Sequence, residues 1–308
     1  MKHLTITGGL GFIGKNFYRR ICNEYEKILI LDKNTYASDY EYFLKIKRDQ
    51  DNLVIGDITD TAFLNKNIIE DTCLVHFAAE SHVDNSFKNS ILFTFNNTYG
   101  THLLLETAKE KRTKKIIIIS TDEVYGQSSV ECDEYNPMYP SNPYSSSKAG
   151  ADLIAQSYFK SFNLPIVIVR PNNIYGPRQN AEKLIPAIIR AIHGGKKLSI
   201  HGNGETSRFF LHVDDLTDAL KIIIQSAKDG SIFNINGKHQ SKVINLVKEA
   251  AEYRNLDIRQ FSNYVDDRPF NDLLYSIDGA NINNLGWNEK KVFDLEFKKL
   301  IDEKSYIE

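Results

Sequence analysis

Through the first 170 residues, short apolar runs rich in β-branched residues alternate with longer stretches whose apolar positions recur at helical spacing. The short runs predict strands at His3–Thr7, Ile28–Asp32, Leu53–Ile55, Cys73–Phe77, Lys115–Thr121 and Pro165–Arg170. Helices are predicted between several of them, at Phe12–Cys22, Leu92–Lys111 and Tyr144–Phe162. Strands separated by helices imply an α/β fold, a doubly wound Rossmann-type parallel sheet with ligands at the carboxyl ends of its strands. After Arg170 the rhythm loosens. Pro171, Gly176, Pro177, Gly194-Gly195 and Gly202-Asn-Gly204 mark loops, while helices are predicted at Ala181–His193, Asp214–Ala227 and Val243–Arg254, with a strand at Ser231–Ile235. We divide the chain into a nucleotide-binding domain over 1–170 and a smaller α+β substrate lobe over 171–308, with elements of 212–235 returning to the first domain.

Composition changes this picture little. At 308 residues the chain can bury a large core, and 42% hydrophobic with 25% charged residues suits a soluble globular protein. A net charge of −2 gives no reason to expect nucleic acid or an anionic membrane as partner. No apolar run approaches the ~20 residues needed to span a bilayer, and the first residues enter an apolar strand directly, leaving no room for a signal peptide. The three cysteines, Cys22, Cys73 and Cys132, are odd in number and widely spaced. They fit neither a disulfide framework nor a metal site, so a reducing, cytoplasmic setting is expected and no metal.

The first predicted strand runs into TGGLGFIG, placing Gly8, Gly11 and Gly14 at the opening of the first helix, with Phe12 and Ile13 between them. Glycines there permit a tight turn and close approach of backbone to a pyrophosphate, which the helix N-terminus attracts. Asp32 ends the second strand, where a carboxylate accepts hydrogen bonds from an adenosine ribose, favouring NAD over NADP; Lys33 beside it weakens that preference. Asp57-Ile58 and Phe77-Ala78-Ala79 follow the third and fourth strands on the same rim, where adenine and a nicotinamide ribose would pass.

Tyr144 and Lys148 are four residues apart and share one helix face. A tyrosine hydroxyl is a poor base near its reference pKa of about 10. An ammonium within ~4–6 Å, aided by an oxidised nicotinamide, is expected to lower it by roughly 1–3 units. Such a phenolate can take a proton from a substrate hydroxyl as hydride leaves for NAD, with Thr121 hydrogen-bonded to the same hydroxyl. Asp122 and Glu123 follow Thr121 directly, and simple oxidation does not need them. Once a sugar's C4 hydroxyl has become a ketone, the C5 proton is acidic. Glu123 then serves as base at C5 and Asp122 as acid at the departing C6 hydroxyl, and hydride returns to C6.

At these residues the chain resembles the nucleotide-sugar 4,6-dehydratases of the extended short-chain dehydrogenase/reductase family. The similarity runs nearly end to end, through TGGLGFIG, GDI, HFAAESHVDNS, STDEVYG, NPYSSSKAGAD, NNIYGP, EKLIP, HGNGETSRFFLHVDD and RPFNDLLYSID. It implies bound NAD, a nucleoside-diphospho-hexose substrate and a homodimer. It also implies Asn34, Thr35 and Asn96 among the cofactor contacts and Ser81 near the sugar and cofactor. Asn173, Lys183 and Leu184 would lie near the diphosphate, with Arg208 and Arg268 clamping it. Ile200, His201 and Asp272 would border the nucleoside.

Two branches of the family compete, one acting on dTDP-glucose and one, in plant rhamnose synthases, on UDP-glucose. SHVDNSFKNSILFTFNNTYGTHLLLE, SIHG, KVIN and RPFND are more similar to the second, so a UDP-hexose is expected. Arg178, Asn180 and Ala181 depart from both branches in a segment expected to border the substrate, which leaves glucose or N-acetylglucosamine open. A dehydratase that also epimerises C5, a 4-epimerase that uses Tyr144 and Lys148 alone, and a non-catalytic NAD-binding protein are the other readings.

Overall fold

The structure, a computed structural model, describes residues 2–303; residue 1 and residues 304–308, the outer ends of the two spans proposed above, lie outside the described residues. Seven parallel strands form the main sheet: β1 (His3–Thr7), β2 (Lys27–Asp32), β3 (Asn52–Ile55), β4 (Cys73–His76), β5 (Lys115–Ile119), β6 (Ile166–Pro171) and β10 (Ile232–Ile235). Their order is β10-β6-β5-β4-β1-β2-β3, so strand order reverses between β1 and β4, and a crevice opens there at the carboxyl ends. Strands buried on both faces need apolar residues at every position. After Lys115, the four isoleucines Ile116–Ile119 are such a run, and no side chain of β5 is exposed. The helix Val213–Ser226 packs on Phe12–Ile21 over one face of this sheet, and Gly100–Glu110 and Pro143–Phe162 cover the other.

Between β6 and β10 and beyond, the chain builds a smaller lobe. It contains β7 (Asn173–Tyr175), β8 (Leu198–His201), β9 (Ser207–His212), β11 (His239–Lys242) and β12 (Ser262–Val265). β9 lies between β7 and β11, and β8 pairs with β12. Helices Leu184–Ile192, Val243–Arg254 and Phe293–Asp302 close over its separate apolar core. The strands of this lobe were not legible, because their three to six residues pair across long stretches of chain and follow no clear alternation.

Two predicted elements differ in ways that shape the site. The fifth strand ends at Ile119, and Thr121 instead caps a tight turn over Asp122–Tyr125, its Oγ1 accepting from the Glu123 amide at 3.3 Å. The predicted helix Leu92–Lys111 is in three parts: Ser90–Phe93, a wide π-type turn at Thr94–Tyr99, and Gly100–Glu110. The wide turn delivers Asn97, which accepts from the Glu80 amide at 2.8 Å and donates to the Glu80 carbonyl and to Ser147 Oγ, both at 2.9 Å. Those three bonds tie the loop after β4 to the helix Pro143–Phe162, and π-type turns commonly occur at functional sites. The helix predicted from Ala181 begins at Leu184, because the preceding loop crosses to the main domain.

Candidate active site

One continuous cleft runs along the carboxyl edge from β3 to β6. Its outer part is lined by Gly8, Asp32, Lys33, Thr35, Asp57, Ile58, Phe77, Ala78, Ala79 and Asn96. Its inner part adds Phe12, Ile13, Gly14, Ser81, Thr121, Asp122, Glu123, Tyr144, Lys148, Asn173 and Lys183. Sequence-predicted cofactor residues and the five proposed catalytic residues therefore share one surface. Asn34 stands just off that lining, its amide donating to Asp32 Oδ1 at 2.8 Å.

The glycine turn fits a dinucleotide closely. Gly8 has φ +72°, and a Cβ on it would lie 2.5 Å from the Ala78 nitrogen; one on Gly14 would lie 2.3 Å from the Gly8 carbonyl oxygen. The helix Phe12–Ile21 starts at Gly11 without a side-chain cap, which leaves its first amides for an anion. Asp32 Oδ2 accepts from the Leu10 amide at 2.9 Å, and Oδ1 accepts from Asn34 and from Ser38 Oγ at 3.1 Å. The Lys33 amide adds a fourth donor, so the protein itself holds this carboxylate in a fixed orientation at the rim where a ribose would pass. Lys33, the residue that weakened the preference for NAD, is ion-paired with Asp57 at 2.5 Å. Paired this way, it is not a free cation for a 2′-phosphate. Asn96 Oδ1, Ser120 Oγ, Asn173 Oδ1 and Gln179 Oε1 are buried without protein partners on the cleft wall, as acceptors awaiting a polar ligand would be.

The helix Pro143–Phe162, which carries Tyr144 and Lys148, is set by a capping box that the sequence pattern Asn142-Pro143 already signals. Asn142 Oδ1 accepts from the Ser145 amide at 2.9 Å, and Ser145 Oγ accepts from the Asn142 amide at 3.2 Å. The same Asn142 side chain reaches Glu123 Oε2 at 3.4 Å, joining the helix start to the acid–base turn. Asn172, directly after β6, donates to Asp122 Oδ2 at 2.7 Å, and Thr121 Oγ1 donates to Oδ1 at 3.1 Å. The sequence singled out neither Asn142 nor Asn172.

Burial, followed by the charge of Glu123, pushes Asp122 up to about 7, so near neutrality it can hold a proton. Burial also raises Glu123, against the pull of Arg208. Without the charge of an oxidised nicotinamide beside it, Tyr144 stays a neutral phenol. Its hydroxyl is pushed up, by burial first and then by Glu123 and Asp122, with only a hydrogen bond to Thr121 opposing them. The Lys148 Nζ donates to the Ile119 carbonyl at 2.6 Å. Burial brings Lys148 itself down to about 8.

The expected diphosphate and nucleoside residues are only partly gathered. Lys183 Nζ donates to the Ser81 carbonyl at 2.6 Å, and Arg268 pairs with Asp84 at 2.6 Å. Arg208 donates to the Asp272 carbonyl at 2.9 Å and stacks over the Tyr275 ring. Leu184 opens the helix behind Lys183. The Ile200 side chain is wholly in the lobe's core, so only its backbone can meet a ligand. His201 ends β8 with Nδ1 unpartnered. Asp272, expected near the nucleoside, is buried and accepts from Tyr275 and Ser141. Arg178, expected to border the sugar, turns to Asp39 at 2.7 Å and lies over Tyr42; its neighbours Gln179 and Asn180 line the cleft.

The model of the family described as GDP-mannose 4,6 dehydratase matches residues 5–301. The chain belongs to that family. It is 38% identical to a dTDP-D-glucose 4,6-dehydratase of Bos taurus, over 98% of this chain and 88% of the relative. It is 37% identical, over 98% of its length, to an Arabidopsis thaliana trifunctional protein whose first named activity is UDP-glucose 4,6-dehydratase, and it spans 46% of that longer protein. In fold it matches DesIV, a dTDP-glucose 4,6-dehydratase from Streptomyces venezuelae solved with NAD bound. The TM-score there is 0.94 at 32% identity, covering 99% of this chain and 98% of the other. In this chain the Thr121-Asp122-Glu123 turn, which follows β5, and Tyr144 line the same cleft. Among the described residues, no group of His, Cys, Asp and Glu side chains forms a metal site, and no helix is long and apolar enough to cross a membrane.

Proposed function

We propose that the protein is an NAD-dependent nucleotide-sugar 4,6-dehydratase that converts a UDP-hexose to its 4-keto-6-deoxy form with loss of one water. The observation that carries this reading is the pair Asp122 and Glu123 on the wall of the cleft that also holds Thr121 and Tyr144. NAD, when bound, supplies a hydride acceptor for C4 and a hydride donor for C6. Tyr144, as the phenolate that the positive charge of a bound oxidised nicotinamide would favour, accepts the proton of the C4 hydroxyl, which Thr121 helps to orient. Glu123, ionised, removes the C5 proton, and Asp122, protonated, gives its proton to the C6 oxygen as water departs. A 4-epimerase would leave this buried carboxyl pair without a task. UDP is favoured over dTDP by the similarity of residues 81–106, SIHG and RPFND to the UDP-glucose branch, and both glucose and N-acetylglucosamine suit the proposal.

Products of UDP-glucose, UDP-N-acetylglucosamine and dTDP-glucose, run side by side and analysed by mass spectrometry and proton NMR, test the reading. A product lighter by one water, with a C6 methyl and unchanged cofactor redox state, is expected from a UDP-sugar. If all three sugars are returned unaltered or only inverted at C4, the dehydratase reading fails.

The family resemblance also implies a homodimer, and an exposed apolar patch supports it. Ile91, Leu92, Phe95 and Tyr99 stand exposed on the segment Ser90–Tyr99, and Leu153 and Phe162 on the adjoining helix Pro143–Phe162. Such a patch on two packed helices fits a self-complementary interface. Ile91→Asp with Phe95→Asp is expected to leave a folded monomer; light scattering that shows an unchanged dimer would place the interface elsewhere.

A further inference from the structure

Behind Glu123 lies a second buried carboxylate that the reaction above does not use. Asp272 is 2% exposed and Tyr275, three residues on, is 3% exposed, although both follow the exposed end of β12. The Tyr275 hydroxyl donates to Asp272 Oδ2 at 2.5 Å and stands 3.5 Å from Glu123 Oε2. Ser141, half-buried beside the helix cap Asn142, donates to the same Asp272 oxygen. Asp272 Oδ1 has no partner. Arg208 holds this arrangement in place, its guanidinium 4.6 Å over the Tyr275 ring and its Nη1 on the Asp272 carbonyl. Glu123, Tyr275, Asp272 and Ser141 thus form a line from the cleft to a partly exposed loop.

A base that takes a proton inside a closed cleft must hold it, return it or pass it on. The groups that face Glu123 are Asp122, Tyr144, Asp272 and Tyr275, the cations Arg208 and Lys183, and the amide of Asn142. Among them, Tyr275 is the hydroxyl that reaches both Glu123 and a second carboxylate. We propose that Tyr275 and Asp272 are positioning residues that form a proton relay behind Glu123. This rests on the dehydratase reading. Protonated Glu123 gives its proton to the Tyr275 oxygen while the proton of Tyr275 moves to Asp272 Oδ2. Glu123 is left ionised, Tyr275 remains neutral, and Asp272 becomes the acid, which loses its proton to water past Ser141. No electrons move. The hydrogen removed from C5 is therefore replaced by one from solvent before C5 is reprotonated.

The relay also has an electrostatic side. The negative charge of Asp272 raises Glu123, in addition to burial. Asp272→Asn keeps an acceptor for Tyr275 and Ser141 but removes the charge and the proton-binding site, so the acidic limb of kcat should move to lower pH.

The test is turnover of the full-length enzyme with a UDP-sugar in D2O, with deuterium at C5 read by NMR for wild type, Tyr275→Phe and Asp272→Asn. Circular dichroism and NAD content check folding. Wild type is expected to carry deuterium at C5, and both variants to retain mostly protium, with the shifted acidic limb in Asp272→Asn. Protium retained by wild type, or wild-type deuteration in both variants with an unshifted limb, overturns the relay alone. So does complete loss of product from both folded variants, since a relay governs only a proton that Glu123 has already taken. If wild type forms no 4-keto-6-deoxy product, the functional reading fails and the relay with it.

Discussion

Asp122→Asn combined with Glu123→Gln is expected to leave the protein folded and able to bind NAD, yet to lower the rate of water loss by about 10⁴-fold or more. Each of the two proton transfers contributes roughly 10²–10⁴ in rate, and residues that act together lose more than single changes suggest. Both replacements preserve shape, and neither touches the glycine turn or Asp32. The Tyr144 end of the site is intact, so oxidation at C4 should proceed and then stop. Stopped-flow absorbance is expected to show reduced nicotinamide that builds up and persists, where wild type shows only a transient. Ordinary water loss by this variant would remove the acid–base assignment. The pH profile follows from the same two groups. Asp122, pushed up to about 7, works only while protonated, so the rate should fall as pH rises through about 7. Glu123 works only when ionised, and burial raises it, so the acidic limb should lie above the ordinary carboxylate range.

Arg170→Met is expected to destabilise the fold by about 3–5 kcal/mol, because it strands a buried charge. Arg170 and Asp152 are both almost wholly excluded from water and meet through two parallel bonds, Nε to Oδ2 at 2.8 Å and Nη2 to Oδ1 at 2.9 Å. Nη1 also donates to the Tyr125 hydroxyl at 2.6 Å. Asp152 lies one turn beyond Lys148 on the same helix, and Tyr125 ends the acid–base turn. The guanidinium thus ties the helix Pro143–Phe162 to the turn Asp122–Tyr125 from behind. Without it, Asp152 keeps only the amide of Gln156 at 2.8 Å among its side-chain donors. Urea unfolding should show the loss, and Asp152→Leu added to Arg170→Met should recover much of it, because the stranded charge is then gone. A loss within the range of exposed ion pairs, below about 1 kcal/mol, would show that the pair is not held dry.

Much of the main domain was legible from the chain. Runs such as Ile116–Ile119 have no polar position that could face solvent, so they read as strands buried on both faces, and the apolar stretches of β1, β2 and β4 follow the same logic. The glycine turn, Asp32, and the Tyr144–Lys148 spacing were legible because each depends on residues close in sequence. The Asn142 cap was also written locally, as Asn before Pro, and was passed over. Contacts that join distant segments were not. Asn172 on Asp122, Arg170 between Asp152 and Tyr125, and Tyr275 beside Glu123 span 50, 18 and 152 positions or more, and no local pattern announces them.

The same division separates chemistry from proton affinity. Local sequence specified which chemical groups stand at the end of β5 and on the helix after it, because strand ends and helix faces follow from periods of two and 3.6 residues. Tertiary packing decided what those groups do at a given pH. Tyr144, expected to be lowered by Lys148 and an oxidised nicotinamide together, is pushed up by the protein's own burial and by the two carboxyls beside it. Asp272, expected near the nucleoside, shares the Tyr275 hydroxyl that stands beside Glu123, a placement that only the fold makes. Burial and the placement of distant charges set proton affinity, and neither is a property of the local chain.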